Sequence, residues 1–313
     1  MSGSSTQRSL AERAVEALGG AAVLGQAPRP AAPAGEAAAA PPPPGAPPAS
    51  PSAAPSAAPA AARPARPAIT RQAMIGAGAH SLEAHRSRCS EELAVVQNQV
   101  VRTLRSAPPA GAGRHPGIVV VTSARPGEGK SFMSLNLAIA IARAGTLPAL
   151  LVDADSKPGN LSELLGASTL PGLRTLAAQP SLAPLNFVAP TEVERLHLLP
   201  YGAAPTDPAA AHPSGNALAG ALLRLAEAFP KHALIVDTPP VLSTSEASAL
   251  ASVAGQVLIV VQAETTQRPE VEAALDMLDA CPTLQLVLNQ ARISTPDSFG
   301  AYGYEAYGHD KRD

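Results

Sequence analysis

The sequence predicts an α/β fold, a mostly parallel sheet with helices on both faces. Three observations carry this. Short strands without a charged residue, among them Ile118–Val121, Ala149–Val152 and Ala233–Val236, alternate with helix-length segments, and all-apolar strands are those a sheet buries on both faces. Two of these strands run into aspartates, and a third runs into a glycine-rich turn that opens a helix; in parallel sheets, chemistry gathers at such carboxyl ends. Composition is also uneven: Ala27 to Ala68 is almost entirely Ala, Pro, Ser and Gly, and the first aromatic residue of the chain is Phe132. The core therefore belongs to the C-terminal two-thirds.

The elements follow in order. Residues 1–24 hold a short helix, Gln7 to Leu18, with Leu10, Ala14, Val15 and Leu18 on one face and Ser9 and Glu12 as a capping box. Residues 25–80 form a disordered, Ala/Pro-rich linker, since nothing there can bury a hydrophobic face. Residues 81–293 form the folded domain. It starts with a helix from Ser81 to Arg105 that places Leu93, Val96, Val100 and Leu104 on one side and is ended by Pro108 and Pro109. Then come the strand Ile118–Val121, the helix Ser131–Ala144 and the strand Ala149–Val152. The strand Leu196–Leu199, the helix Ala217–Phe229, the strand Ala233–Val236, the helix Ser245–Val253, the strand Val257–Val261, the helix Pro269–Leu278 and the strand Leu284–Leu288 complete it. Residues 294–313 form a flexible tail rich in glycine and tyrosine.

Bulk properties exclude several functions. The 313 residues carry a formal net charge of -2 with no Lys/Arg stripe, so nucleic acid is not expected as a partner. The two cysteines, Cys89 and Cys281, have no Cys-x-x-Cys spacing and the seven histidines form no ligand pattern, which predicts a reducing compartment and no structural metal. No apolar stretch of about 18 residues is present, and Arg8, Glu12, Arg13 and Glu16 stand where a signal peptide would be apolar. The expectation is a cytoplasmic protein.

The densest chemical signal follows the first strand. Thr122-Ser123-Ala124-Arg125-Pro126-Gly127-Glu128-Gly129-Lys130-Ser131 leads into an apolar helix and fits a P-loop with Ala124 at the first glycine. Glycines let backbone N–H groups turn inward around phosphate, the helix N-terminus favours an anion, Lys130 reaches the β/γ-phosphates and Ser131 ligates Mg²⁺. The other strand ends supply Asp153-Ala154-Asp155 and Asp237-Thr238-Pro239. Phosphoryl transfer is chiefly positioning and charge neutralisation, so a hydroxyl and carboxylates around Mg²⁺, with one carboxylate accepting the attacking hydroxyl's proton, form the required set. ATP and Mg²⁺ are the expected ligands.

The stretches VTSARPGEGKSFMSLNLAIAIA, LLVDADSKPGNLSELLG, IVDTPPVLSTSEASALA and QVLIVVQAETT resemble the Walker A, Walker A′ and Walker B motifs, and the strand after them, of the bacterial tyrosine kinases of polysaccharide export. That family lies in the MinD/ParA-like branch of P-loop ATPases, and the resemblance is closest to the exosortase-associated tyrosine autokinases. It implies nucleotide contacts by Gly127, Glu128, Gly129, Lys130, Ser131 and Phe132, and an asparagine near the adenine base at Asn289. Asp153 becomes the acceptor of the tyrosine proton, and Ser131, Asp155 and Asp237 arrange the metal and its waters. Three of the four tyrosines, Tyr302, Tyr304 and Tyr307, lie among glycines at the C-terminus, where they have no core to fill; they resemble the family's phosphoacceptors. By the same resemblance the activator is a separate transmembrane polysaccharide co-polymerase or chain-length regulator. The chain would act as a homo-oligomer at the inner face of the plasma membrane, with a tyrosine phosphatase opposing it.

Departures from the family pattern keep two other readings open. Ala94 and Gln97 replace basic residues that the family uses in ring assembly, and Pro158 comes one place early after the paired aspartates. A nucleotide-switched ATPase of the MinD/ParA type would carry lysine at position 125, where this chain has Arg125. A kinase-inactive ATP-binding regulator of polysaccharide secretion would keep the nucleotide site alone.

Overall fold

The computed structural model describes residues 66–82, 87–107, 113–203 and 212–292. The helix expected near the N-terminus, most of the expected linker and the tail tyrosines Tyr302, Tyr304 and Tyr307 lie outside these residues. Seven strands form one sheet: β1 (His115–Ser123), β2 (Ala149–Asp153), β3 (Ala189–Pro190), β4 (Leu196–Leu199), β5 (Ala233–Asp237), β6 (Ala254–Gln262) and β7 (Leu284–Asn289). Their order is β3-β4-β2-β5-β1-β6-β7, parallel throughout except where the two-residue β3 meets β4. The expected mostly parallel α/β sheet is thus present.

The pleat divides the core in two. Ile118, Val120, Leu150, Val152, Leu234 and Val236 face α5 (Leu173–Ala178), α6 (Gly215–Ala228), α7 (Glu246–Ser252) and α8 (Arg268–Asp276). Alternate residues Val119, Val121, Leu151 and Ile235 face α2 (Arg88–Ser106), α3 (Lys130–Arg143) and the short α1 (Arg71–Gly76) and α4 (Leu161–Leu164). Helix α3 is nearly apolar all round and buried from Met133 to Ile139, as expected of a helix under a sheet.

Two boundaries differ from the sequence reading. The linker was expected to run to residue 80, yet residues 66–82 form a strap folded on the domain. Ile69 bridges Thr191 in parallel, Thr70 caps α1, and Ile69, Met74, Ala79 and Leu82 are buried. The physical reason is that these spaced apolar side chains fill the gap beside α3, an opportunity that bulk composition does not reveal. The helix expected from Ser81 instead begins at Arg88, because Ser87 and Ser90 exchange capping-box bonds there, while Ser81 bonds to Asn136. Helices α4 and α5 and strand β3 are additional short elements.

Candidate active site

Strand β1 delivers the chain into the loop 124–129, and Lys130 opens α3. The loop is braced on both sides. Ser123 Oγ donates to the Arg125 carbonyl at 2.8 Å, and Arg125 N donates to Glu128 Oε2 at 2.8 Å. The other Glu128 oxygen accepts from the Thr266 hydroxyl in the β6–α8 connection, and Glu128 is only 2% exposed. Asn289, at the end of β7, donates its Nδ2 to the Glu128 carbonyl at 2.9 Å. Gly129 is required here on two counts. Its φ is +94°, and a Cβ would lie 2.1 Å from Asn289 Nδ2. The sheet edge thereby holds the loop in shape.

The acids converge on Lys130. Asp153 and Asp237 are register partners at the ends of adjacent strands β2 and β5. Lys130 Nζ lies 2.8 Å from Asp155 Oδ2 and 3.2 Å from Ser131 Oγ. Burial pulls the Lys130 ammonium down, but Asp237, Asp155 and Asp153 together outweigh it and hold it raised and charged. Asp237 is fully buried; Oδ1 accepts from Ser134 Oγ at 3.1 Å, and Oδ2 has no partner among the described residues. Burial pushes this carboxyl up to about 6 against the pull of Lys130, Ser131 and Ser134.

Asp153 sits deeper than the sequence reading implied. It is fully buried, Oδ2 accepts from Ser162 N at 2.7 Å and from the Ser162 hydroxyl at 2.5 Å, and Oδ1 accepts from Asp155 N at 3.1 Å. Burial and then Asp237 push it up to about 7, with the Ser162 and Asp155 bonds opposing. Its carboxyl therefore also shapes the 155–162 loop that presents Asp155. Arg125 points away from the acids and pairs with Glu270 at 3.3 Å on the surface.

Beside the loop, a cavity of about 350 Å³ opens between α2, the start of α3 and the end of β7, lined in part by Leu93, Val96, Phe132, Met133, Asn289 and Gln290. Three contributors were not anticipated: Ser134 under Asp237, Ser162 under Asp153, and Thr266 on Glu128. Only Ser134 had a readable signal, as a polar residue within an apolar helix one turn after Lys130. The donor set of Ser131, Asp155 and Asp237 is hard oxygen, and the open Oδ2 of Asp237 is a group that a cation or its water would satisfy. Among the described residues no three His, Cys, Asp or Glu are assembled as a ready cage.

A family model described as ParA, the NUBPL iron-transfer P-loop NTPase, matches residues 115–303. A tyrosine-protein kinase CpsD of Streptococcus agalactiae is 31% identical over 198 residues, 61% of this chain and 84% of that protein. The chain belongs to the ParA-type P-loop NTPases, in their bacterial tyrosine-kinase branch. Another member of this branch, the tyrosine-protein kinase YwqD of Bacillus subtilis, is 29% identical with 81% of its length covered. A longer one, a putative tyrosine-protein kinase EpsB of Ralstonia solanacearum, is 32% identical, but the match spans only 26% of it. The solved structure of the chimerical protein CapA2B2 superposes with a TM-score of 0.55 at 27% identity, covering 72% of this chain and 95% of that one.

Proposed function

We propose that the chain is an ATP-dependent protein-tyrosine autokinase that phosphorylates Tyr302, Tyr304 and Tyr307 and thereby regulates synthesis or export of an extracellular polysaccharide. The observation that carries this reading is the convergence of Lys130, Asp155 and the open oxygen of Asp237 at the end of a braced phosphate loop. The kinase names of its relatives support tyrosine as acceptor.

In this reading the amides of Gly127 to Phe132 and the Lys130 ammonium hold the triphosphate, and the cavity beside Phe132 and Asn289 takes the adenine. Ser131, Asp155 and Asp237 would hold Mg²⁺, directly or through water, and the ion when bound would supply charge neutralisation for the transfer. A tail phenol attacks the γ-phosphorus, the bond from that phosphorus to the β–γ bridging oxygen breaks, and ADP leaves. The phenolic proton passes to Asp153, whose carboxyl near 7 is poised for such a transfer. Since Ser162 and Asp155 N occupy it at rest, the 155–162 loop must yield as the phenol arrives.

In this reading the tail is phosphorylated in trans within a homo-oligomer. No helix among the described residues is long and apolar enough to cross a membrane. The kinship with the bacterial tyrosine kinases is the support for the proposed activator, a separate transmembrane co-polymerase at the inner membrane face, and for a tyrosine phosphatase as the proposed antagonist. The test is a mass-spectrometric digest of full-length protein after incubation with Mg-ATP, beside Asp153→Ala. Phosphate on the three tail tyrosines of the parent and none on the variant is expected; ATP hydrolysis with an unmodified tail would remove the kinase assignment and leave a nucleotide switch.

A further inference from the structure

Helix α3 carries a second buried polar residue, one that the acids do not use. Asn136 is fully buried, and its side chain is directed to the strap 66–82. Oδ1 accepts from Ser81 N at 2.8 Å, while Nδ2 donates to the Gly78 carbonyl and to the Phe132 carbonyl, both at 2.9 Å. The Ser81 hydroxyl returns a bond to the Asn136 carbonyl at 3.1 Å, and Arg143 donates to the Ser81 carbonyl. One amide group thus ties the strap to the first turn of the phosphate-loop helix.

The same segment touches Phe132 directly. His80 meets the Phe132 ring edge-on, with centroids 5.6 Å apart at 60°. The backbone of Gly78 passes so near that a Cβ there would lie 3.5 Å from the ring. Phe132 follows Ser131 and forms one wall of the 350 Å³ cavity. The far end of the strap is fixed independently, where Arg66 donates to the Phe187 carbonyl at 2.8 Å and Ile69 N donates to the Pro190 carbonyl at 2.9 Å. The strap therefore spans from the β3 edge of the sheet to the residue that borders the phosphate loop.

We infer that Asn136 and His80 are positioning residues of the nucleotide site, and that the strap 66–82 sets the Phe132 wall of the cavity that takes the base. This rests on the nucleotide-binding reading above and adds to it. A buried amide whose three side-chain bonds are all made to the strap and to Phe132 loses two of them if the strap leaves, so docking of the strap and order at Phe132 are linked. Strap and nucleotide consequently favour one another's bound state, and a partner that draws on the chain ahead of residue 66 would alter nucleotide affinity without touching the site.

The experiment uses the full chain and isothermal calorimetry with Mg-ADP, comparing the parent, His80→Ala, His80→Phe and Asn136→Ala. His80 is exposed, so its substitution spares the core. His80→Ala is expected to weaken Mg-ADP roughly two- to tenfold, the range of an aromatic edge contact, with no matching fall in Tm. His80→Phe restores the parental affinity. Asn136→Ala weakens binding further and raises amide hydrogen exchange at Ser81 and across the first turn of α3. If His80→Ala binds as the parent does, the inference is overturned, whatever becomes of Asn136→Ala. A purely structural strap would lower Tm in both alanine variants and leave the affinity of the folded protein unchanged, which also overturns it. Failure of the parent itself to bind Mg-ADP would instead remove the reading beneath.

Discussion

Replacing Asp237 by asparagine is expected to stabilise the empty protein and disable it together. The carboxyl is fully buried, one oxygen lacks a partner, and burial holds its pKa at about 6 where 3.8 is ordinary. A raised carboxyl takes up a proton on folding. Its contribution is fully present below the unfolded pKa and is lost as pH climbs through about 6. Asparagine keeps an oxygen for Ser134 and never ionises, so the gain of the variant over its parent must grow across that window. At about 1.36 kcal/mol per tenfold of proton affinity, the gain is ~1 kcal/mol near pH 4.5 and ~3 kcal/mol above about pH 6.5. Relief of Asp153, which Asp237 helps to push up to about 7, acts in the same direction. Urea unfolding of both proteins without nucleotide, at pH 4.5 and pH 8, reads the difference in midpoint at constant slope. A gain at pH 8 no larger than at pH 4.5, or a net loss at pH 8, would refute the claim that this acid is held against its preference for a cation.

Other consequences are quicker to check. Gly129→Ala introduces a Cβ 2.1 Å from Asn289 Nδ2 at a φ of +94°, and should cost about 1–3 kcal/mol from backbone strain alone; adding Asn289→Ala removes the clash but not the strain, so thermal melts should show partial recovery. Thr266→Val leaves one oxygen of the buried Glu128 without its donor and should cost ~1–3 kcal/mol, with nucleotide affinity falling as the loop loosens. Changing Tyr302, Tyr304 and Tyr307 together to phenylalanine should abolish the anti-phosphotyrosine signal while ATP turnover persists; a signal that survives would move the acceptor elsewhere.

The parallel sheet and the phosphate loop were legible because each rests on local patterning. A strand buried on both faces must be apolar, as Val119 to Val121 and Leu234 to Val236 are, and a loop that wraps phosphate must supply glycines at positive φ, as Gly127 and Gly129 do. What stayed hidden depends on distant partners. Ser162 looks like an ordinary first-turn serine until its hydroxyl is found between Asp153 and the Tyr201 amide. Thr266 acquires meaning only because β6 lies beside β1. The strap up to residue 80 reads as linker because Ile69 and Met74 are sparse in a Pro/Ala-rich stretch, and sparse apolar residues fold only onto a surface already formed. Asn136 offered a cue, as a polar residue inside a buried apolar helix, but its partners in the strap are some 55 residues away.

Lys130 and the acids should grip a magnesium nucleotide, and calorimetric titration of the full chain tests this directly. One molecule of ADP should bind per chain, more tightly with Mg²⁺ than with a chelator, and Lys130→Met should abolish the heat while the circular dichroism spectrum is kept. Binding that ignores both Mg²⁺ and the loss of Lys130 would contradict it.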